Sequence, residues 1–359
     1  VASSPLRARR SPRAVPAVLL TAGALLLAGC STGPAGSGSA GGSGSAAEGA
    51  TGEFPRTVEH VYGETTIEQA PERVATVSWV NHDVATALGV VPVGVPTTDF
   101  GANEAGSTDW FDAALEESGA EAPRTYSETD GINFEAIAAL DPDVILGAYS
   151  GLTREDYDKL SEIAPVVAYP EDAVAYGTSW QDSTELIGQA LGREERAREV
   201  VEDVEQQIAE TAEQYPELEG TSFVYGTLDP SAADPIIAYT EVDNRPKLLT
   251  SLGMAQAEAV TGAAEGKEDE FYVTWSPENA DDLVSDVFVS WAAGEDVRED
   301  IESDPLLSSI PAVADDALVL QTDEQEVLSV SAASPLSIPW ALENVVPDIA
   351  EAARTAGGE

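Results

Sequence analysis

The sequence predicts an α/β chain of two Rossmann-like lobes, each built on a central, mostly parallel sheet, joined by one long α-helix. Three observations predict it. Short apolar, β-branched runs alternate with amphipathic stretches that end in Gly or Pro, the pattern of buried parallel strands sheathed by helices. Matching local patterns occur in both halves, and between the halves lies one uninterrupted helical repeat.

The first segment is an address rather than a fold. Arg7, Arg9, Arg10 and Arg13 precede an apolar stretch, Ala14 to Leu27, that is too short for a comfortable membrane span and reads as an export signal over residues 1–29. Val1 reads as an initiator codon translated literally. Leu27-Ala28-Gly29-Cys30 sets the single cysteine of the chain directly behind that stretch. Residues 30–52 are dominated by Gly, Ser and Ala and form a flexible tether. A small-residue box, a cysteine and a soft tether resemble a bacterial lipoprotein signal, which implies lipid on the Cys30 thiol; a secretory signal with an incidental thiol is the other reading. Arg9-Arg10 followed by Ser11-Pro12-Arg13 leaves the Sec and Tat export routes both open. With one cysteine, no intrachain disulfide supports the fold.

Residues 53–192 form the expected N-terminal lobe. Its strands are Val74-Ala75-Thr76-Val77, Val91-Pro92-Val93-Gly94-Val95, Val144-Ile145-Leu146 and Val166-Val167-Ala168, with helical stretches at 83–88 and 154–163. Ala197, Val200, Val201, Val204, Ile208, Ala212 and Tyr215 then recur at three- and four-residue steps until Pro216, which predicts a connecting helix within 193–216. Residues 217–359 repeat the grammar, with strands at Phe223-Val224-Tyr225, Ile236-Ile237-Ala238-Tyr239, Val287-Phe288-Val289 and Leu318-Val319-Leu320. Glu135 precedes Asp143-Val144 by eight positions, and Glu278 precedes Asp286-Val287 by the same eight. Asn81 precedes Leu88-Gly89 by seven, as Arg245 precedes Leu252-Gly253, each pair reading as a helix closed by a glycine cap.

Composition and motifs exclude several functions. Seventeen Lys and Arg against 65 Asp and Glu give a formal net charge of −48, a surface that repels nucleic acid. Two histidines, His60 and His82, are too few for a zinc or manganese receptor. No Gly-x-Ser-x-Gly elbow is present and His82 has no evident serine or cysteine partner, which argues against a hydrolase.

Several stretches carry a more specific likeness. They are Pro71-Glu72-Arg73-Val74, Asn81-His82-Asp83-Val84-Ala85, Leu88-Gly89-Val90-Val91-Pro92-Val93-Gly94-Val95, residues 133–147, Tyr157-Asp158-Lys159-Leu160-Ser161-Glu162-Ile163-Ala164-Pro165 and Gly177-Thr178-Ser179-Trp180-Gln181-Asp182. Over roughly Val58 to Ala353 the chain resembles the class III substrate-binding lipoproteins of ABC importers, the helical-backbone metal receptor type. Within them it is most similar to the iron-siderophore binding proteins of actinobacteria. Asp141-Pro142-Asp143 departs from a commoner Lys-Pro-Asp. The resemblance implies a monomeric, non-catalytic receptor without cofactor, anchored by Cys30 to the outer face of the cell membrane. Its ligand would be a ferric siderophore held between the lobes, and its partner an ABC permease with its ATPase. It also implies that one acidic residue per lobe, Glu135 and Glu278, engages permease arginines; compensation of a helix dipole explains both equally well. Haem or cobalamin binding by the same fold is the alternative, with Tyr149 or Tyr176 as an axial haem ligand, and a surface lipoprotein with no transport role is the remaining one.

Ligands of open α/β sheets bind beyond the carboxyl ends of the strands. Those ends offer Trp79, Asn81, Tyr149, Ser150, Tyr176 and Trp180 in the first lobe, and Tyr225, Tyr239, Arg245, Trp291 and Trp340 in the second. Aromatic walls with few charges suit a bulky, part-apolar chelate, although each aromatic reads equally as core. Arg245 is the best polar candidate, with an ion pair to Glu241 or Asp243 as its other role. Only Arg245 and Lys247 are evident cations near the site, which favours a neutral or cationic ferric hydroxamate over a triply negative catecholate.

Overall fold

The computed structural model describes residues 49, 51–230, 235–267, 269–294 and 296–358. The export signal, Cys30 and most of the tether lie outside the described residues. The chain first makes an antiparallel hairpin, β1 (Arg56–His60) and β2 (Gly63–Ile67). Its Glu- and Thr-rich strands escape apolar patterning, because only alternate residues such as Val58, Thr65 and Ile67 turn inward. His60 is buried in this hairpin, its Nε2 2.9 Å from Thr65 Oγ1 and its Nδ1 accepting the Tyr62 N–H.

The first sheet comprises β3 (Val74–Thr76), β4 (Gly94–Pro96), β5 (Arg124–Tyr126), β6 (Val144–Leu146) and β7 (Val166–Val167) in the order β5-β4-β3-β6-β7. Every pairing in it is parallel. The second sheet comprises β8 (Ser222–Thr227), β9 (Ile236–Tyr239), β10 (Ala255–Gln256), β11 (Tyr272–Trp275), β12 (Val287–Trp291) and β13 (Leu318–Gln321). Its order is β11-β9-β8-β12-β13, with β10 beside the start of β8. Here the architecture is more mixed than the sequence implies, since β9 runs antiparallel to both β8 and β11. Residues 228–235 are too few for a crossover helix, so the chain returns beside β8 in the opposite sense.

The internal matches have a physical cause. Asp143, just before β6, accepts the Glu72 and Arg73 N–H groups at 2.7 and 3.0 Å, ahead of β3. Asp286, just before β12, accepts the Ser222 N–H and hydroxyl at 2.7 and 2.6 Å at the start of β8. Each carboxylate therefore pins the amino end of the neighbouring parallel strand through charge-assisted hydrogen bonds. Gly89 and Gly253 follow the helices Asn81–Ala87 and Asn244–Ser251 with φ of +78° and +93°, a conformation that other residues reach only at a cost. The Glu278 match is looser than that of Glu135. Glu135 lies in the α-helix Phe134–Ala138, whereas Glu278 opens a 3₁₀ turn, Pro277–Asp282.

One helix, Glu194–Gln214, ties the two sheets together. Its 21 residues span about 32 Å. Ala197 and Val200 pack in the core of the first sheet with Val84, Leu146 and Ile187, while Val201, Val204 and Ile208 pack in that of the second with Phe223 and Leu248. Fully burying each of the larger side chains contributes about 1.5–3 kcal/mol. The charged residues of this helix face solvent, and Pro216 begins a short 3₁₀ turn where it ends.

Candidate functional site

The carboxyl end of β3 runs into a strained turn. Ser78 and Val80 adopt φ of +60° and +54°, and for a β-branched valine this is a rare conformation. Between them Trp79 is 54 % exposed. Asn81 stabilises the turn from beneath: its buried amide donates to the Val77, Trp79 and Tyr149 carbonyls at 2.8–2.9 Å. Its Oδ1 accepts the Tyr149 N–H at 3.0 Å. Asn81 thus joins the ends of β3 and β6, and its polar atoms are used within the protein.

Tyr149 and Tyr176 extend the wall. Tyr176, also at positive φ (+61°) and 43 % exposed, lies 6.2 Å from the Trp79 ring and 6.0 Å from the Tyr149 ring. The Ser150 carbonyl holds the Tyr176 N–H at 3.0 Å, whereas the Ser150 hydroxyl is buried and turned inward to Gly147 O. Ser150 therefore shapes the loop, and its side chain is not presented outward.

The second sheet supplies the opposing groups. Arg245 lies over the Tyr239 ring at 4.2 Å and pairs with Asp243 at 2.8 Å, its side chain 15 % exposed. Glu241, the other partner considered from sequence, is not the one it takes. Tyr239 contacts the ring of Tyr225 at 6.1 Å, and the Tyr225 phenol donates to Gln321 Oε1. Gln321 is aligned in the sheet with Trp291, whose ring meets Phe100 of the first half at 6.1 Å. Three N–H donors along this path, Arg245 Nε, Gln321 Nε2 and Trp291 Nε1, have no hydrogen-bond partner among the described residues. Buried donors of this kind are costly unless something oxygen-bearing takes them.

Electrostatics place the two sets together. Burial raises the Tyr149 phenol above its ordinary range and Asp243 raises it further, while the Arg245 guanidinium and Asn244 amide act in the other direction. Burial also raises Asp243, opposed by Arg245. Lys247, the other cation near the site, is lowered by burial and donates to Gly177 O at 3.2 Å, so it braces the loop carrying Tyr176.

Of the other aromatic candidates, Trp180 sits elsewhere and Trp340 borders the wall. Trp180 opens the helix Trp180–Leu191 and packs in the core with Val201 and Leu252. Trp340 meets Trp110 at 5.4 Å with the rings tilted by 58°, in a seam between the halves that also holds Phe111, Tyr149 and Leu328. Tyr225, 1 % exposed, backs the site from within the sheet. In that seam Asp83 accepts from Trp110 Nε1 and Ser334 Oγ, both at 2.8 Å, with His82 3.4 Å away. His82 is mostly buried, and burial lowers its pKa, opposed by Asp83.

Glu135 and Glu278 are both exposed. Glu278 also edges a cavity of about 870 Å³ lined by Tyr239, Trp291, Pro230 and Leu306. No group of three or more His, Cys, Asp or Glu among the described residues could hold a metal ion, and no described helix is long and apolar enough to cross a membrane. Sequence reasoning missed Phe100, Asn244 and Gln321. Only Asn244, at the first position of a helix that follows a strand, left a signal.

Comparison with known proteins agrees with this architecture. Residues 74–324 match the family model for periplasmic binding proteins. PiaA of Streptococcus pneumoniae TIGR4, solved in complex with ferrichrome, is 33 % identical and superposes with a TM-score of 0.77 over 83 % of this chain and 99 % of its own. The Fe(3+)-citrate-binding protein YfmC of Bacillus subtilis is 25 % identical over 304 residues, 84 % of this chain and 86 % of YfmC. The probable siderophore-binding lipoprotein YfiY of the same organism is 27 % identical over 237 residues, 65 % of this chain and 67 % of YfiY.

Proposed function

The chain belongs to the periplasmic binding protein family, and on that premise we propose that it captures a ferric siderophore, of hydroxamate type, and delivers it to an ABC importer. The observation that carries the reading is the set of spare N–H donors, Arg245 Nε, Gln321 Nε2 and Trp291 Nε1, framed by aromatic rings. A hydroxamate complex presents oxygen acceptors on a bulky, part-apolar, weakly charged body. It therefore fits a site with many rings, several donors and one guanidinium. A catecholate complex of high negative charge would need more cations than Arg245 and Lys247, and both of these already have protein partners. Burial of the Tyr149 phenol favours its protonated form, which speaks against that residue as a haem phenolate ligand.

In this reading residues 53–192 and 217–359 are the lobes that close on the ligand, and 193–216 is the connector. Lipid on Cys30 and the tether behind it hold the receptor at the outer face of the cell membrane. Glu135 and Glu278 face the permease, which works with its ATPase, and the receptor acts as a monomer and catalyses nothing. The test is a tryptophan-fluorescence titration of the part from Ser31 onward with ferrichrome, ferrioxamine B, a ferric catecholate, ferric citrate, haem and cobalamin. Saturable quenching by the hydroxamates, tighter than by the rest, is the expected result; a response to haem or cobalamin alone would replace the proposal.

A further inference from the structure

The aromatic wall rests on a carboxylate that neither the family nor the sequence pattern brings forward. Glu128 follows β5, and its Oε2 accepts the Ser78 N–H at 2.9 Å. Ser78 is the first residue of the strained turn, and Trp79 stands between two residues at positive φ. Left-handed conformations at two non-glycine sites one residue apart cost free energy and persist only when the surroundings over-determine them. Asn81 holds the exit of this turn through the Trp79 carbonyl, and Glu128 holds its entrance. We propose that Glu128 is the positioning residue of the aromatic wall, its carboxylate fixing the Ser78–Val80 turn so that Trp79 stands against Tyr176 and toward the ligand.

The surroundings of this carboxylate make the role distinctive. Its Oε1 is buried and has no hydrogen-bond partner among the described residues. Tyr126 on β5 is the titratable neighbour, and its phenol is engaged by the Thr76 carbonyl at the end of β3. One position further on, Thr129 donates to Asp99 at 2.8 Å, so that carboxylate has its own partner. Burial pushes Glu128 up to about 7, and the Ser78 N–H opposes this by favouring the charged form. The ionised carboxylate is the stronger acceptor. Burial nevertheless outweighs that hydrogen bond, so ionisation works against keeping Glu128 in place beneath Ser78, and the turn is held more firmly below pH 7 than above it.

The role of Glu128 in ligand capture rests on the siderophore reading, but its effect on Trp79 does not. The test compares the wild-type chain with Glu128→Gln and Glu128→Ala, each with and without Trp79→Phe, so that the emission of Trp79 is obtained by difference. Acrylamide quenching of that emission, without ligand, is followed from pH 8 to pH 6. The wild type should show quenching that changes with a midpoint near 7. Glu128→Gln, which keeps an oxygen for Ser78 but no charge, should give the low-pH behaviour at every pH, and Glu128→Ala, which keeps neither, should show the loosened, more quenched Trp79 at every pH. In the second arm, ferrichrome affinity of the wild type should weaken roughly three- to tenfold from pH 6 to pH 8, the worth of the one hydrogen bond that holds the turn, and that slope should vanish in Glu128→Gln. If Trp79 quenching is the same in all three chains, the positioning role is wrong whether or not ferrichrome binds. If quenching responds as expected and ferrichrome does not bind the wild type, the role stands and the siderophore assignment fails.

Discussion

Replacing Arg245 by alanine separates what this residue does for the ligand from what it does for the fold. Its guanidinium meets Asp243 at 2.8 Å and the Tyr239 face at 4.2 Å, leaving Nε over. One charge-assisted hydrogen bond to a ligand oxygen is worth about 1.5–3 kcal/mol. Ferrichrome affinity of Arg245→Ala should therefore fall about 10- to 150-fold at 1.4 kcal/mol per decade. The fold loses something different, because Asp243 remains buried without its cation. Removing one partner of a buried pair costs about 3–5 kcal/mol, and Asp243 can limit that loss by taking up a proton. Burial already raises Asp243 while Arg245 opposes it, so the alanine variant raises it further. A carboxyl whose folded-state pKa is raised contributes most below its unfolded value and loses that contribution as pH rises through the folded value. Urea unfolding should accordingly show a larger deficit at pH 8 than at pH 5. Asp243→Asn combined with Arg245→Leu should recover much of the stability and none of the affinity. Fluorescence titration with ferrichrome and urea denaturation of the same samples are the measurements. An Arg245→Ala chain that binds within twofold of the wild type, or whose stability deficit is independent of pH, would refute this account.

Three further outcomes follow from the packing. Glu128→Gln should raise stability at pH 8 by about 2–3 kcal/mol, since the folded carboxyl titrates at about 7 and its ionisation works against folding between pH 5 and 8; that variant should show a flatter urea-midpoint profile across this range. Ser334→Ala removes a donor to the buried Asp83 and an acceptor for the Leu336 and Ser337 N–H groups, so the urea midpoint should report a loss of about 2–4 kcal/mol. Gly226→Ala would drive a Cβ into the Ile237 carbonyl oxygen of the adjacent strand, and circular dichroism should show a markedly lowered melting temperature or failure to fold, while alanine at the open Gly262 should change little.

Much of the scaffold is legible in the residues because each element repeats a local rule. Val74, Val144, Val287 and Leu318 announce buried strands by β-branched or apolar runs, and the connecting helix announces itself by three- and four-residue spacing that Pro216 ends. The Asp143 and Asp286 repeats are visible because each performs the same hydrogen bonding at the start of a neighbouring strand. The reversed direction of β9 is not visible, since apolar residues in a strand carry no sign of its sense. The site divides similarly. Trp79, Tyr149, Tyr176, Tyr239 and Arg245 come together as strand-end reasoning expects. Trp180 does not join them, because a tryptophan packs equally well in a core, whereas Trp340 borders them through the cluster that holds Tyr149 and Phe100. Phe100 and Glu128 matter only through contacts 191 and 50 residues away along the chain, with Trp291 and Ser78, and no local pattern encodes those.

The handover along the helix Glu194–Gln214 occurs between neighbouring residues, Val200 belonging to one core and Val201 to the other. Neither core can melt without stripping the helix of half its apolar partners, and a helix left with one supported end frays toward the other. Heat should consequently not take the two halves apart in succession. Calorimetry is expected to record one transition whose calorimetric and van't Hoff enthalpies agree, and backbone amides near Val200 should exchange with solvent among the slowest in the molecule.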